Sequence, residues 1–431
     1  MTVYELKAGF AQVDITPGNP GDVFLDGYGK RLGPAECVRD PLYAKVCWLC
    51  SGDEEFAVFS IDFCGLSAGV KDRLCTWIEF LGGIKRDNFA LCATHTHAGP
   101  ACGVLTGLPV NAIYLDSAAQ KMAAALREAR ASAVPGRFGC AFGDDLTLGY
   151  NRRGKGHDEI DRRVFVWGFY DVEGKLRGAL ASASCHAVCS TDMRISADYP
   201  GVLTLRAGER FSGVPVLFLQ GRGADIDPQI FEEEGIVRMG EQLSGCVFSG
   251  LERASRAPSV SGGIRSAFSK EKIPFRRPDA EKLEKEIADL SKKLEAAPDA
   301  RQRRSLSVKL YWALKFRGDC GKDGPPCLDA DLQMLKIGER AAIAFVPFEM
   351  LTATGNAVER ILASLGANAP ECLVIGYSNG TNGYLCPSAE ADEAGYETAG
   401  AARWYGLPEC SAETEKAVLR GVHSLADRLF G

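Results

Sequence analysis

Residues 89–100 read Phe-Ala-Leu-Cys-Ala-Thr-His-Thr-His-Ala-Gly-Pro. The apolar run 89–93 reads as a buried strand, and Ala98-Gly99-Pro100 end it. A chain built around such a strand must cover it in a layered sheet, with polar chemistry left at the strand end. Alternate side chains of a strand share a face, so His95 and His97 are predicted to point the same way. The chain has 5 histidines and two of them sit here. Paired imidazoles beside a Gly-Pro turn suit a metal site, since neutral imidazole is a common zinc ligand and the turn leaves room for a substrate. Two hydrogen-bonded histidines at a strand terminus fit the same pattern.

The rest of the chain supplies more short apolar runs with helical stretches between them. Strands are expected at 44–50, 56–61, 164–170, 180–184, 214–220, 332–337, 341–346 and 372–376. Helices are expected at 70–81, 116–131, 199–211, 232–254, from Glu349 to about 365, and at 412–429. Leu283, Ile287, Leu290 and Leu294 recur at helical spacing on a charged background, and Pro298-Asp299 opens a second helix. Residues 271–317 therefore read as a helical hairpin inserted in the chain, its charge a solvated face. The pattern predicts an α+β (mixed α/β) class, layered β-sheets flanked by helices, with residues 1–431 as a single domain.

The chain has 431 residues and a net charge of -6. It has no basic surplus for nucleic acid or an anionic membrane. Its opening has no apolar core of signal-peptide length and no stretch reaches the length of a membrane span, so a cytoplasmic protein without stable membrane association is expected. The 16 cysteines are scattered, several inside apolar runs (Cys47, Cys50, Cys64, Cys92), which predicts reduced and mostly buried thiols.

Polar groups stand at several strand ends: Asp62, His95, His97, His186, Asp225, Asp227 and Glu349. Each alone has an ordinary explanation, for instance Asp as a turn cap or Glu349 at a helix start. Together, at the ends of successive apolar strands, they point to a metal-dependent hydrolase. Gly27-Tyr28-Gly29 marks a place where the backbone approaches something closely.

Thr94-His95-Thr96-His97-Ala98-Gly99-Pro100 resembles the Thr-His-Thr-His-Ser-Gly-Pro motif of the neutral/alkaline, non-lysosomal ceramidases, zinc amidases that cleave the N-acyl bond of ceramide. Asp14-Ile15-Thr16, Gly27-Tyr28-Gly29, Asn151-Arg152, Cys185-His186-Ala187, Pro347-Phe348-Glu349, Gly383-Tyr384 and Tyr396-Glu397 are similar to family segments in the same order. The resemblance implies one zinc ion held by His95, His186, Glu349 and Tyr384. It implies that His97 is a neighbouring polar or proton-transfer group rather than a primary ligand, and that Arg152 and Tyr396 line the cleft. Gly27, Tyr28 and Asp225 are expected to contact substrate.

One departure bears directly on chemistry. The family's Gly-Asp-Val-Ser-Pro turn carries its catalytic serine, whereas here the turn reads Ala224-Asp225-Ile226-Asp227-Pro228. Asp227 cannot be a serine-type nucleophile. It fits a general base for a metal-activated water, or a partner for a substrate ammonium or hydroxyl. The expected activity is zinc-dependent hydrolysis of an amide bond in a small, soluble molecule. Two alternatives stay open: a two-metal ester or phosphoester hydrolase with Asp225 and Asp227 holding a second cation, and a catalytically silent binding protein on the same scaffold.

Overall fold

A computed structural model of the chain describes residues 6–154 and 156–431; most of the opening read above, residues 1–5, lies outside the described residues. Nine strands form the larger sheet. Eight of them run in the spatial order Val216–Gln220, Leu176–Ala183, Phe165–Asp171, Val134–Phe142, Lys7–Asp14, Tyr43–Ser51, Glu54–Ile61 and Phe89–Ala93, and Ser259–Val260 adds to Val134–Phe142. A smaller sheet has the order Ile264–Pro274, Cys327–Ile337, Ala341–Phe345 and Cys372–Ile375.

The two sheets pack face to face. Phe56, Val58, Phe138, Trp167, Phe169 and Leu217 from the larger sheet meet Leu335, Ile343, Phe345 and Leu373 from the smaller. Helices Ala68–Gly82 and Ala112–Ala131 cover one half of the larger sheet's outer face. Helices Asp198–Arg210 and Glu232–Arg256 cover the other half. Thr352–Ser364 and Ala412–Phe430 cover the outer face of the smaller sheet. The result is an α+β fold of helix, sheet, sheet and helix layers. Central strands such as Phe165–Asp171 are buried on both faces, which is why they read as continuous apolar runs.

Two strands carry little sequence signal. Val134–Phe142 contains Pro135, Gly136, Arg137 and Gly139, yet it sits mid-sheet. Its glycines let a helix backbone press onto it: a Cβ on Gly139 would lie 1.9 Å from Ala254 O, and one on Gly143 just beyond it 2.1 Å from Cys246 O. Ile264–Pro274 is an edge strand whose Arg265, Lys270, Glu271 and Lys272 obscure its alternation. It pairs antiparallel with Cys327–Ile337 from Ile264 to Pro274, so residues 271–274 are strand and the first hairpin helix begins at Ala280. The hairpin, Ala280–Glu295 and Ala300–Arg317, thus fills the connection between two paired strands, around a small core of Leu283, Trp312, Ala313 and Phe316.

All 16 cysteines are free thiols and most are buried. The Cys-x-x-Cys pair at Cys47 and Cys50 lies on the strand Tyr43–Ser51, where an offset of three puts the two thiols on opposite faces: Cys47 in the inter-sheet core, Cys50 against the outer helices. No helix among the described residues is long and apolar enough to cross a membrane.

The close approach at Gly139 sets a test of this packing. Gly139→Ala should destabilise the protein by about 1–3 kcal/mol through overpacking. Gly245→Ala, on the same covering helix but facing open space, should instead raise stability by about 0.5–1 kcal/mol through helix propensity. Denaturant titration reads both signs.

Candidate metal centre

The parallel strand pairs Glu54–Ile61 with Phe89–Ala93, Leu176–Ala183 with Val216–Gln220, and Ala341–Phe345 with Cys372–Ile375 all end toward one place. The loops beyond those ends are stitched together by backbone hydrogen bonds. Ala93 N–H donates to Tyr377 O at 3.0 Å, His97 N–H to Ala187 O at 3.0 Å, His186 N–H to Ile226 O at 2.9 Å and Glu349 N–H to Gly383 O at 3.0 Å. Each bond ties one chemistry-bearing segment to another, so the site is fixed by main-chain geometry before any side chain is considered.

The two histidines of the 89–100 stretch do converge, but not through strand alternation. The strand stops at Ala93, and His95 adopts a positive φ of 64°. That left-handed turn is unfavourable for a non-glycine residue and is the kind of strain held at functional sites. It brings His95 Nε2 to 3.1 Å from His97 Nε2. His95 Nδ1 faces Cys64 O, and His186 Nδ1 faces Ile226 O at 3.2 Å. A carbonyl only accepts, so both rings carry their proton on Nδ1 and present an Nε2 lone pair.

Those lone pairs aim at Glu349. Its Oε2 lies 3.3 Å from His95 Nε2 and 3.5 Å from His186 Nε2, and all three side chains have 0% exposure. Oε2 has no hydrogen-bond partner in the structure. Oε1 accepts from the Tyr405 hydroxyl at 2.6 Å. Three acceptors therefore converge with no donor among them, and a buried cation is the group such a set fits. His95, His186 and Glu349 offer ligand atoms within 4.8 Å of one another. Burial, with Arg152 nearby, pushes His186 down, and burial with His95 does the same to His97, so both rings are neutral at pH 7.

Tyr384 and Arg152 stand beside this group. Tyr384 Oη lies 3.5 Å from His186 Nε2 and accepts from Arg152 Nη2 at 2.9 Å. Burial drives the phenol well above its ordinary pKa, against the pull of Arg152. Arg152 also donates from Nη1 to Asp227 Oδ1 at 3.1 Å and from Nε to Glu397 Oε1 at 2.8 Å, and it lies over the Tyr396 ring. Arg152, Tyr396 and Glu397 line a cleft of about 420 Å³ together with Arg153, His157 and Glu393.

The remaining expected residues fall into two groups. Asp227 stands beside the site: Oδ1 lies 3.7 Å from His186 Nδ1, the ring nitrogen turned away from Glu349, and accepts from the Arg152 guanidinium that also reaches Tyr384. Asp225 turns away from the site. Its Oδ1 accepts from Thr352 N–H at 3.0 Å and Thr352 Oγ1 at 2.8 Å, and its Oδ2 from Asn151 at 3.0 Å. That is a helix-start anchor, and Asp225 joins no group of potential metal ligands among the described residues. Gly27, at φ 93°, lies so close under His97 that a Cβ would come within 2.3 Å of its ring. The Tyr28 ring stands edge-on to His97 at 5.2 Å, with its hydroxyl donating to Val188 O. The Gly-Tyr-Gly segment thus approaches His97. Asp62 accepts from Tyr43 N–H and Thr94 Oγ1 and braces the strand ends. Another ligand-like group, His157, Glu390 and Glu393, sits at the cleft rim, where Arg153 pairs with both carboxylates.

Three contributors escaped sequence reasoning. Tyr405 ends the five-residue helix Ala401–Tyr405, in a stretch with no motif to mark it. Tyr377 lies against the His95 ring at 4.2 Å between centroids. Arg31 donates to the carbonyls of His97, Asp26, Ser190 and Asp192 and so holds the histidine turn from behind.

No family model matches the sequence. Neutral ceramidase of Pseudomonas aeruginosa is 24% identical over 205 residues, covering 43% of this chain and 31% of that protein. The matched stretch therefore spans about a third of the relative's length. The crystal structure of neutral ceramidase from Pseudomonas aeruginosa superposes with a TM-score of 0.76 at 19% identity, covering 99% of this chain and 75% of that one. A ceramidase complexed with C2 gives a TM-score of 0.77 at 17% identity, over 99% and 75% of the respective chains. The architecture is that of the ceramidase scaffold. With the partial sequence match, this supports reading the chain as a divergent relative of the neutral ceramidases.

If the converging acceptors hold a metal, His95→Ala and His186→Ala should each lose it, because the two or three groups left bind zinc poorly. His97→Ala should retain it. Elemental analysis after dialysis against zinc measures all three, and full metal content in either of the first two would refute the ligand set.

Proposed function

We propose that the chain is a zinc-dependent amidohydrolase that cleaves the N-acyl bond of a small, polar molecule. The observation that carries this reading is the orphaned, fully buried Glu349 Oε2 between two imidazole lone pairs. His95, His186 and Glu349 would hold the ion, with Tyr384 as a fourth, displaceable oxygen. Zinc supplies Lewis acidity toward a carbonyl and brings the pKa of bound water toward about 7.

The chain's own residues supply the rest. Arg152 fixes Asp227 by its Oδ1. Asp227 Oδ2 has no partner among the described residues, and the side chain is 17% exposed at the site. It takes the proton of the attacking water, the role a carboxylate can fill where the related enzymes' turn has a serine. Asp227 then passes that proton to the leaving amine, and His97, held neutral by burial, steadies the oxyanion with a ring N–H hydrogen bond. Arg152 and Tyr396 line the approach.

Polarity at the cleft supports a polar substrate. Of the side chains named there, Arg152, Arg153, His157, Glu393 and Glu397 are ionisable groups and Tyr396 is the single large ring. A long acyl chain would have to displace water from these groups with only Ala394 and the Tyr396 ring to replace it. N-acylated amino acids, amino sugars and small amines are therefore the preferred class over ceramide.

Asp227→Asn should keep its zinc and lose turnover by about 10²–10⁴-fold, the scale of a lost general base. Unchanged turnover would reduce Asp227 to a structural partner of Arg152, and lost zinc would make it a ligand. A screen for free amine release should favour soluble N-acyl compounds. Efficient turnover of ceramide in detergent micelles would contradict the substrate class.

A further inference from the structure

The hairpin Ala280–Glu295 and Ala300–Arg317 touches none of the candidate ligands, but it is not idle. Between it and the metal group lies the helix Ala401–Tyr405, five residues long. A helix of that length has no stability of its own and depends on what holds it. It ends at Gly406 in the left-handed conformation, φ 62°.

The hairpin grips this element at three points. Trp312 Nε1–H donates to Leu407 O at 2.7 Å. Lys315 Nζ donates to Gly406 O at 2.6 Å. The Arg403 guanidinium pairs with Glu286 at 3.0 and 3.2 Å and lies over the Trp312 ring at 4.3 Å. From the opposite side, Thr106 N–H donates to Trp404 O at 2.7 Å, and the Trp404 ring packs where a Cβ on Gly29 would stand.

The helix delivers Tyr405. Its hydroxyl donates to Glu349 Oε1 at 2.6 Å, and its ring runs nearly parallel to that of Tyr384, 6.1 Å away at 17°. Pinning Oε1 removes the carboxylate's freedom to rotate and leaves Oε2 facing the His95 and His186 nitrogens. Partners of this kind orient a ligating carboxylate and raise metal affinity.

We propose that Tyr405 is a positioning residue for the Glu349 carboxylate, and that the helical hairpin sets zinc affinity from a distance by bracing the short helix that carries it. This rests on the metal reading above, and the test separates the two.

The test uses the full chain stripped of metal and titrated with zinc against a chromophoric chelator, with the melting temperature of each metal-free variant as a folding control. The parent binds one zinc; no uptake by the parent would overturn the metal reading itself before any variant is made. Tyr405→Phe removes one hydroxyl and should weaken zinc by about 10–100-fold. The pair Trp312→Phe and Lys315→Met removes both hairpin donors far from the ligands and should weaken zinc by a smaller factor in the same direction. Adding Tyr405→Phe to that pair should cost little beyond Tyr405→Phe alone, because both act through one hydrogen bond. Leu314→Ala, at an exposed position of the same hairpin helix, should match the parent. Parental affinity in Tyr405→Phe overturns the positioning role. Parental affinity in the Trp312 and Lys315 variant, or fully additive losses, overturns the brace. If Tyr405→Phe does not fold, the Trp312 and Lys315 variant decides alone.

Discussion

A carboxylate with no exposed surface is the constraint the rest of the molecule answers to. Glu349 has one oxygen held by Tyr405 and the other set between two imidazole nitrogens that offer only lone pairs. An unsatisfied buried acceptor costs about 1–3 kcal/mol, and more when charged. A fold would not keep that arrangement for packing, since an apolar residue of the same shape would pack without the penalty. The fold holds it in place regardless, by cross-linking the loops that carry His95, His186, Glu349 and Tyr384 through main-chain bonds.

The network around Asp227 shows how one changed residue alters a site without dismantling it. Arg152 spans Tyr384, Asp227 and Glu397, so three acceptors on three separate segments share one guanidinium. A serine at position 227 would leave that guanidinium less fully paired; the aspartate matches its charge and keeps an acceptor beside His186. This fits a chain that shares the neutral ceramidase fold at low sequence identity.

Much of this was legible in the sequence. The apolar runs marked the buried strands because their two-sided burial leaves no alternation to misread. Ligand candidates were legible because polar groups ended those runs. The geometry was less so. His95 and His97 meet through a left-handed turn, which no periodicity announces. Asp225 and Asp227 look equivalent two residues apart, but one anchors a helix start and the other stands beside the site. Gly27 was readable as a close approach, though not that His97 is what it approaches. The strands Val134–Phe142 and Ile264–Pro274 were hidden by glycine and by edge charge. Tyr405 was out of reach, since its role depends on where a five-residue helix is docked.

The most direct measurement is anomalous diffraction at the zinc edge from crystals grown with zinc. The account predicts one strong peak per chain, about 2.0–2.2 Å from His95 Nε2, His186 Nε2 and a Glu349 oxygen. A peak at His157, Glu390 and Glu393 instead, or none within reach of Glu349, would contradict it.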